Sequence, residues 1–322
     1  MDKSEINEEL LQHLRKLNEK YESMGQDLSS YLDGLLHADY LSYWDYIHLD
    51  TLLSLQSPRT SFPDEKIFII SHQIPELYFQ LILHELEQIR TEVKTVEKFI
   101  LKLKRVISYF KHLVDSFEIM QGGMEREQFM QFRMSLMPAS GFQSVQYRKI
   151  EICSTDAVNL INIDKRSETD PYLPEDQLYA DLYWKNGATE LATGKKTLTL
   201  NQFDEAYRLP LIELMKDCRS NNVWRAYEKH FQSKDQEKQL IPLLKEYDAL
   251  ANVYWPLAHY KSAVRYLQND ENIISATGGT NWQKYLPPRF QKVQFFPLLW
   301  TPEEQEEWGK GWVMKEVFNK TE

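Results

Sequence analysis

Long stretches of this chain repeat apolar residues at three- and four-residue spacing with little to interrupt them, and that pattern leaves few folds open. Only 11 Gly and 13 Pro punctuate 322 residues. Ile6, Leu10, Leu14, Leu17 and Tyr21 form one such series, the spacing that collects apolar side chains on one face of an α-helix. Ser61-Phe62-Pro63-Asp64-Glu65 offers a hydroxyl cap, an early proline and acids at the positive end of a helix dipole. It predicts a helix from about 64 into the low nineties, kinked where Pro75 lacks a backbone donor. A second helix is predicted over about 95–118 and ended by Gly122-Gly123, a third begins near Arg126, and a fourth follows Gly141. The stretch from about 156 to 200 is less regular, helical patterning returns from about 201 to 268, and a glycine-centred loop falls at Thr277–Thr280. Pro287-Pro288 then blocks helix continuation. With no repeat and no alternation of strands and helices, the expected fold is all-α. It is read as one domain over 1–322, a bundle whose core comes from non-contiguous helices.

Composition removes several functions. A formal net charge of −10 repels phosphate backbones, so no nucleic-acid partner is expected. The 18 Tyr, 15 Phe and 8 Trp supply enough apolar surface for a large core, which argues against disorder. The first residues, Met1 to Ile6, hold no apolar signal region, and no apolar run approaches bilayer length. A cytoplasmic protein without membrane association is expected. Cys153 and Cys218 are the only cysteines, too few for a disulfide framework or a thiolate-rich zinc site. Any metal would be held by His, by carboxylates or inside a cofactor.

Two of the eight histidines lie among apolar and aromatic neighbours. His72 sits in Ile67-Phe-Ile-Ile-Ser-His-Gln-Ile-Pro-Glu-Leu-Tyr-Phe, and His259 in Val253-Tyr-Trp-Pro-Leu-Ala-His-Tyr-Lys-Ser-Ala-Val. An imidazole on an apolar face costs free energy unless its nitrogens find partners. Each is either a satisfied core histidine or, for His259, an iron ligand on the proximal side of a haem. His72 with Glu76 and His84 with Glu87 share helix faces, but the Glu-x-x-His order of carboxylate-bridged di-iron bundles is absent. Arg133, in Phe129-Met-Gln-Phe-Arg-Met-Ser-Leu-Met, either snorkels or holds a buried carboxylate with its guanidinium fork. The Gln- and Ser-rich run from Ala139 to Glu151 serves either a buried polar cofactor edge or a polar network between helices.

Three blocks, in this order, resemble the tryptophan 2,3-dioxygenase family. They are Tyr43–Leu53 followed by Asp64–Phe79, then Phe132–Glu151 with its Ser-Gly-Phe-Gln-Ser core, then His259 through Ala276-Thr-Gly-Gly-Thr to Phe295-Phe-Pro-Leu-Leu. They frame about 28–300, with weak matching between about 156 and 250. The resemblance implies an all-α bundle enclosing a haem b pocket, with O2 as co-substrate and L-tryptophan or a close analogue as substrate. It implies His259 as the proximal iron ligand, with Ser140 and Trp255 beside the haem. His72 would be the distal catalytic group, bonding the indole N–H. Phe68, Phe129 and Phe132 would line the indole site, Arg133 would bind the carboxylate, and Thr277 the ammonium and carboxylate. Tyr43, Tyr46 and Ile47 would reach a neighbouring subunit's pocket in a homotetramer, with residues 1–40 as an N-terminal arm in the oligomer contacts. The chain departs from the family pattern at Phe129, where a Tyr is usual, at Pro256, at Trp44-Asp45 and in Gly278–Trp282. Two other readings therefore stand beside it: a related haem enzyme for a modified tryptophan or other aromatic amino acid, and a helical haem-binding protein without turnover.

Overall fold

The apolar stripes read from the sequence close on each other in a pair of long helices. In the computed structural model, which describes residues 8–38, 41–137, 139–189, 195–231, 233–269, 272–273, 283 and 286–310, α5 (Asp64–Thr91) and α6 (Val96–Gly123) are joined by a short connection and pack along each other. Phe79, Ile82, Leu86 and Ile89 of α5 are buried, as are Phe99, Leu103, Val106, Phe110 and Leu113 of α6. Each such side chain contributes about 1.5–3 kcal/mol by leaving water.

Contacts divide the chain into Met1–Gln56 and Ser57–Glu322. The first unit holds α1 (Glu8–Ser23), α2 (Leu28–Leu36), α3 (Tyr43–Tyr46) and α4 (Leu49–Ser54). Of its described residues only Leu28 is buried.

The second unit is arranged around the α5–α6 hairpin. After α7 (Arg126–Phe132), 3-10 turns at Arg133–Leu136 and Gly141–Gln143 lead into α8 (Val145–Ser154). The irregular middle folds as α9 (Ile163–Arg166), α10 (Glu175–Ala180) and α11 (Tyr183–Asn186). Then come α12 (Leu198–Cys218), α13 (Val223–His230), α14 (Lys234–Ala249), a π-helical turn at Leu250–Tyr254, and α15 (Trp255–Leu267). Helices α8 and α13 pack on α5, α12 on α8, and α14, the π-turn and α15 on α6. Strand pairing among the described residues is limited to a two-residue antiparallel ribbon, Gln268–Asn269 with Asn272–Ile273, and two isolated bridges. The all-α expectation holds. No helix among the described residues is long and apolar enough to cross a membrane.

Three local expectations are corrected. Ser61 does not cap α5. Pro63 occupies the cap position, and the Glu65 carboxylate instead accepts from the backbone N–H groups of Arg59 and Thr60, each at 2.8 Å. α6 does end at Gly122-Gly123, as expected, but its helical turns continue through both glycines instead of stopping near 118. Pro288 starts a helix, α16 (Pro288–Gln291), because a proline in the first turn loses no helical hydrogen bond.

Polar side chains tie distant segments through this frame. The buried carboxylate of Asp248 accepts from Phe295 N at 2.8 Å, Phe296 N at 3.0 Å, Trp300 Nε1 at 2.9 Å and Asn252 Nδ2 at 2.8 Å. The guanidinium of Arg90 joins Glu87, Asp217, the carbonyl of Asn221 and the thiol of Cys153. Cys153 and Cys218 are free thiols that meet in the core, Sγ atoms 3.9 Å apart. Lys185 lies 3.6 Å above the ring of Tyr179 and 3.2 Å from Asp204. Burial pushes its pKa down to about 8, against the pull of Asp204.

Between pH 8 and 10.5 the unfolded chain keeps a proton on Lys185 that the folded chain releases, so stability should rise with pH there. Below pH 8 both states are protonated and the burial cost is fully present. One such proton gives a slope of up to about 1.4 kcal/mol per pH unit. Lys185→Met should flatten this rise in urea unfolding between pH 8 and 9.5, below the range where buried tyrosines titrate. An unchanged slope would remove Lys185 as its source.

Candidate functional site

Helical spacing sets Phe68 and His72 one turn apart on α5, ring centroids 4.1 Å apart. The Phe68 carbonyl accepts from Ser71 Oγ at 2.8 Å and from His72 Nδ1 at 2.8 Å. A carbonyl can only accept, so Nδ1 carries the proton and Nε2 of the neutral ring is left as an acceptor. His72 is exposed to solvent, yet burial holds its pKa below the ordinary histidine value, with the Phe68 bond and the Glu76 charge acting the other way. Protein atoms thus crowd the ring without sealing it, as in a side chain that lines a recess.

Phe68 leads into an aromatic cluster separate from the main core. Its ring lies 6.1 Å from Phe129 and 5.8 Å from Phe132, which meet edge to face at 5.6 Å. Arg133 follows Phe132 and is buried; desolvation lowers its pKa, but a guanidinium stays charged at neutral pH. The start of α5 is fastened to this segment: Glu125 N donates to Asp64 at 2.6 Å, Asp64 N to Gln128 at 3.2 Å, and Arg59 Nη1 to the Ser135 carbonyl at 3.0 Å. Tyr266 packs 5.0 Å from Phe129, but its hydroxyl donates to the carbonyls of Met120 and Met124.

The second imidazole comes from α15. Trp255 lies one turn before His259 and packs against Phe79 and Phe117, while Phe117 also stacks on His259 at 5.7 Å. Burial, helped by the nearby His72, pushes His259 down to about 4. The two rings are therefore close enough that charge on His72 disfavours protonation of His259. Neither ring nitrogen of His259 makes a hydrogen bond to a described residue. Ser140 is half-buried beside them, its N–H donating to Gln143 at 3.0 Å. A Cβ on Gly141 would stand 3.3 Å from Cε1 of His259, so backbone forms that wall.

The structure thus brings together His72, His259, Phe68, Phe129 and Phe132, and places Arg133, Ser140 and Trp255 beside them in the chain. Thr277 lies outside the described residues. Tyr43 and Tyr46, on α3 of the first unit, are 72% and 75% exposed, and Ile47 is half-buried. Sequence reasoning missed Phe117, Gly141 and Gln121, whose side-chain amide donates to the Ala258 carbonyl at 3.3 Å and Ser262 Oγ at 3.2 Å. Only tertiary packing selects these three. The Gln-rich run resolves largely into a network between helices: Gln146 Nε2 donates to the carbonyl and carboxylate of Glu76, each at 2.8 Å, and Gln143 reaches the Thr199 carbonyl. Glu87, considered above as a metal ligand with His84, pairs with Arg90 at 2.6 Å.

Residues 34–275 match the family model for tryptophan 2,3-dioxygenase. A tryptophan 2,3-dioxygenase from a Ruegeria species is 30% identical over 278 residues, covering 82% of this chain and 92% of its own. The Bradyrhizobium diazoefficiens protein of that name is 28% identical over 81% and 91%. An Anaeromyxobacter relative is 39% identical over 121 residues, 37% of this chain and 45% of its own. The match defines an all-helical oxidoreductase of the dioxygenase class. The chain belongs to the tryptophan 2,3-dioxygenase family.

The hydrogen bond to Phe68 has a direct readout. Nitrogen-15 NMR of the ring at pH 7 should report His72 as the Nδ1–H tautomer. An Nε2–H signature would show that the bond is not made.

Proposed function

We propose that this protein is a haem-dependent dioxygenase that opens the C2–C3 bond of the indole ring of L-tryptophan with O2, giving N-formylkynurenine. The observation that carries the reading is an imidazole set among aromatic rings and close enough to a second, buried imidazole to act on its charge, the second having both nitrogens unbonded among the described residues.

The donor set fits a haem. An imidazole held near pKa 4 is neutral at physiological pH and keeps a lone pair for iron. At Gly141 the neighbouring backbone carries no side chain to crowd the Cε1 edge of the ring further. His259 would hold the iron, with Ser140 and Trp255 flanking the macrocycle. When bound, haem supplies the activation of molecular oxygen, and both of its atoms end in the product.

The protein's own residues bind and orient. His72, with Nδ1–H committed to Phe68, offers Nε2 to the indole N–H and so fixes the ring's rotation. Phe68, Phe129 and Phe132 form a slot for the flat heterocycle and exclude water from it. Arg133 offers two parallel donors to the amino-acid carboxylate, and Thr277 is assigned to the ammonium and carboxylate. A site built to accept the indole N–H rejects analogues lacking it.

A modified tryptophan or another aromatic amino acid is the second reading. It is favoured by Phe129, which carries no hydroxyl, and by the nearby Tyr266, whose hydroxyl is already bonded. For assembly we propose a cytoplasmic homotetramer in which Tyr43, Tyr46 and Ile47 enter a neighbour's pocket. The exposed apolar side chains of Met1–Gln56, including Leu36 at 81%, support it.

The reading is tested by loading the protein with hemin, reducing it without oxygen, adding L-tryptophan and then O2, and following N-formylkynurenine by absorbance. Haem-loaded protein that forms no product would overturn it. His259→Ala should abolish hemin uptake, read as loss of the Soret band; a band of wild-type intensity and position would exclude His259 as ligand. Arg133→Ala should weaken tryptophan binding by about 2–5 kcal/mol in a spectral titration, the scale for losing one partner of a buried charge pair. Unchanged affinity would take Arg133 out of the site.

A further inference from the structure

The helical run from Lys234 to Leu267 is continuous but not uniform. Leu250–Tyr254 is a wide π-turn, closed by Trp255 N–H donating to the Leu250 carbonyl five residues back. Such a turn holds one residue more than the α-turn it replaces, so every residue beyond it is rotated by about 100° relative to an unbroken α-helix. His259 is the chemically distinctive residue beyond it.

Pro256 accounts for the widening. It has no N–H, and in an unbroken α-helix its ring would press on the carbonyl of Asn252. Widening relieves that clash but leaves a second debt, because the π-pattern partner of Pro256 is the carbonyl of Ala251. Ala251 is fully buried, and its carbonyl is met from another helix: the hydroxyl of Tyr147, on α8, donates to it at 2.8 Å. Asn252, inside the turn, is fastened by its amide to Asp248, whose remaining three partners are N–H donors of the segment 295–300. Four donors and no acceptor select the carboxylate form of Asp248, since a proton there would face other protons.

We propose that the π-turn sets the rotational phase of His259, and that Tyr147, Asn252 and Asp248 are the positioning residues that lock it. The proposal concerns which way one imidazole faces; its significance for haem rests on the reading above. The turn directs the ring of His259 toward Gly141, where the two meet at van der Waals distance. Without the extra residue, the same helix would present that ring about a quarter-turn away, off the Gly141 contact.

Deletion of Ala251 tests the proposal with two readouts. In the hemin-free protein, selectively labelled for NMR, a nuclear Overhauser contact between His259 Hε1 and Gly141 Hα should be present in the wild type and absent in the deletion variant, with helical circular dichroism retained. In parallel, hemin affinity should fall at least 100-fold, as in His259→Ala. Persistence of the NMR contact in a folded deletion variant overturns the proposal. Loss of the contact with hemin uptake intact sustains the phase-setting role and overturns His259 as ligand, so the two ideas fail separately. Should the deletion variant not fold, Tyr147→Phe combined with Asn252→Ala decides. The weakened contact should be accompanied by a roughly 10-fold weaker hemin affinity and a shifted Soret band at a temperature where the protein is fully folded. A contact and a Soret titration identical to wild type would overturn the proposal.

Discussion

Burial of the facing apolar stripes of α5 and α6 is the interaction on which the rest of the second unit depends. The hairpin has two usable sides, and the later helices distribute themselves between them: α8 and α13 on α5, α14 and α15 on α6. Because the imidazoles come from opposite sides of this division, His72 on α5 and His259 on α15, the hairpin fixes the distance between them. A bundle of independent helices would let that separation drift; a long pair joined by a tight connection does not.

Polar contacts then refine what apolar burial leaves free. Apolar stripes resist separation but tolerate sliding and rotation about the helix axis. The bonds that remove those freedoms reach across the unit: Gln121 to the carbonyl before His259, Tyr147 to the π-turn, Asp64 to the start of α7. Each is partly or wholly buried, where leaving a donor or acceptor unmet is costly. The site is therefore set by a few long-range hydrogen bonds laid over a generic helical core.

Much of this was legible in the sequence. Helix type and the starts of α5, α6 and α7 follow from spacing, because an amphipathic stripe is a local pattern. The two imidazoles stood out because each sits among aliphatic and aromatic neighbours, and Arg133 for the same reason. What stayed hidden depends on contacts made from far along the chain. Nothing in Leu250-Ala-Asn-Val-Tyr254 announces a π-turn; the signal is Pro256 read together with Tyr147, over a hundred positions earlier. Gly122-Gly123 reads as a stop, and α6 does end there. Pro287-Pro288 blocks a helix arriving from before it, while the fixed φ and missing donor of Pro288 suit the first turn of the helix that follows. Gly141 looked like punctuation and proved to be a wall.

That wall limits how the recess can be reshaped. A residue with no side chain cannot be trimmed, and a Cβ there would stand 3.3 Å from Cε1 of His259, so the ring would have to give by a few tenths of an ångström. The Gly141 contact is therefore hard to alter by point substitution, while Phe68, Phe129 and Phe132 are large rings that smaller residues could replace. Drift in which molecules fit is more readily written on the aromatic side, and a directed library aimed at those three rings would sample it.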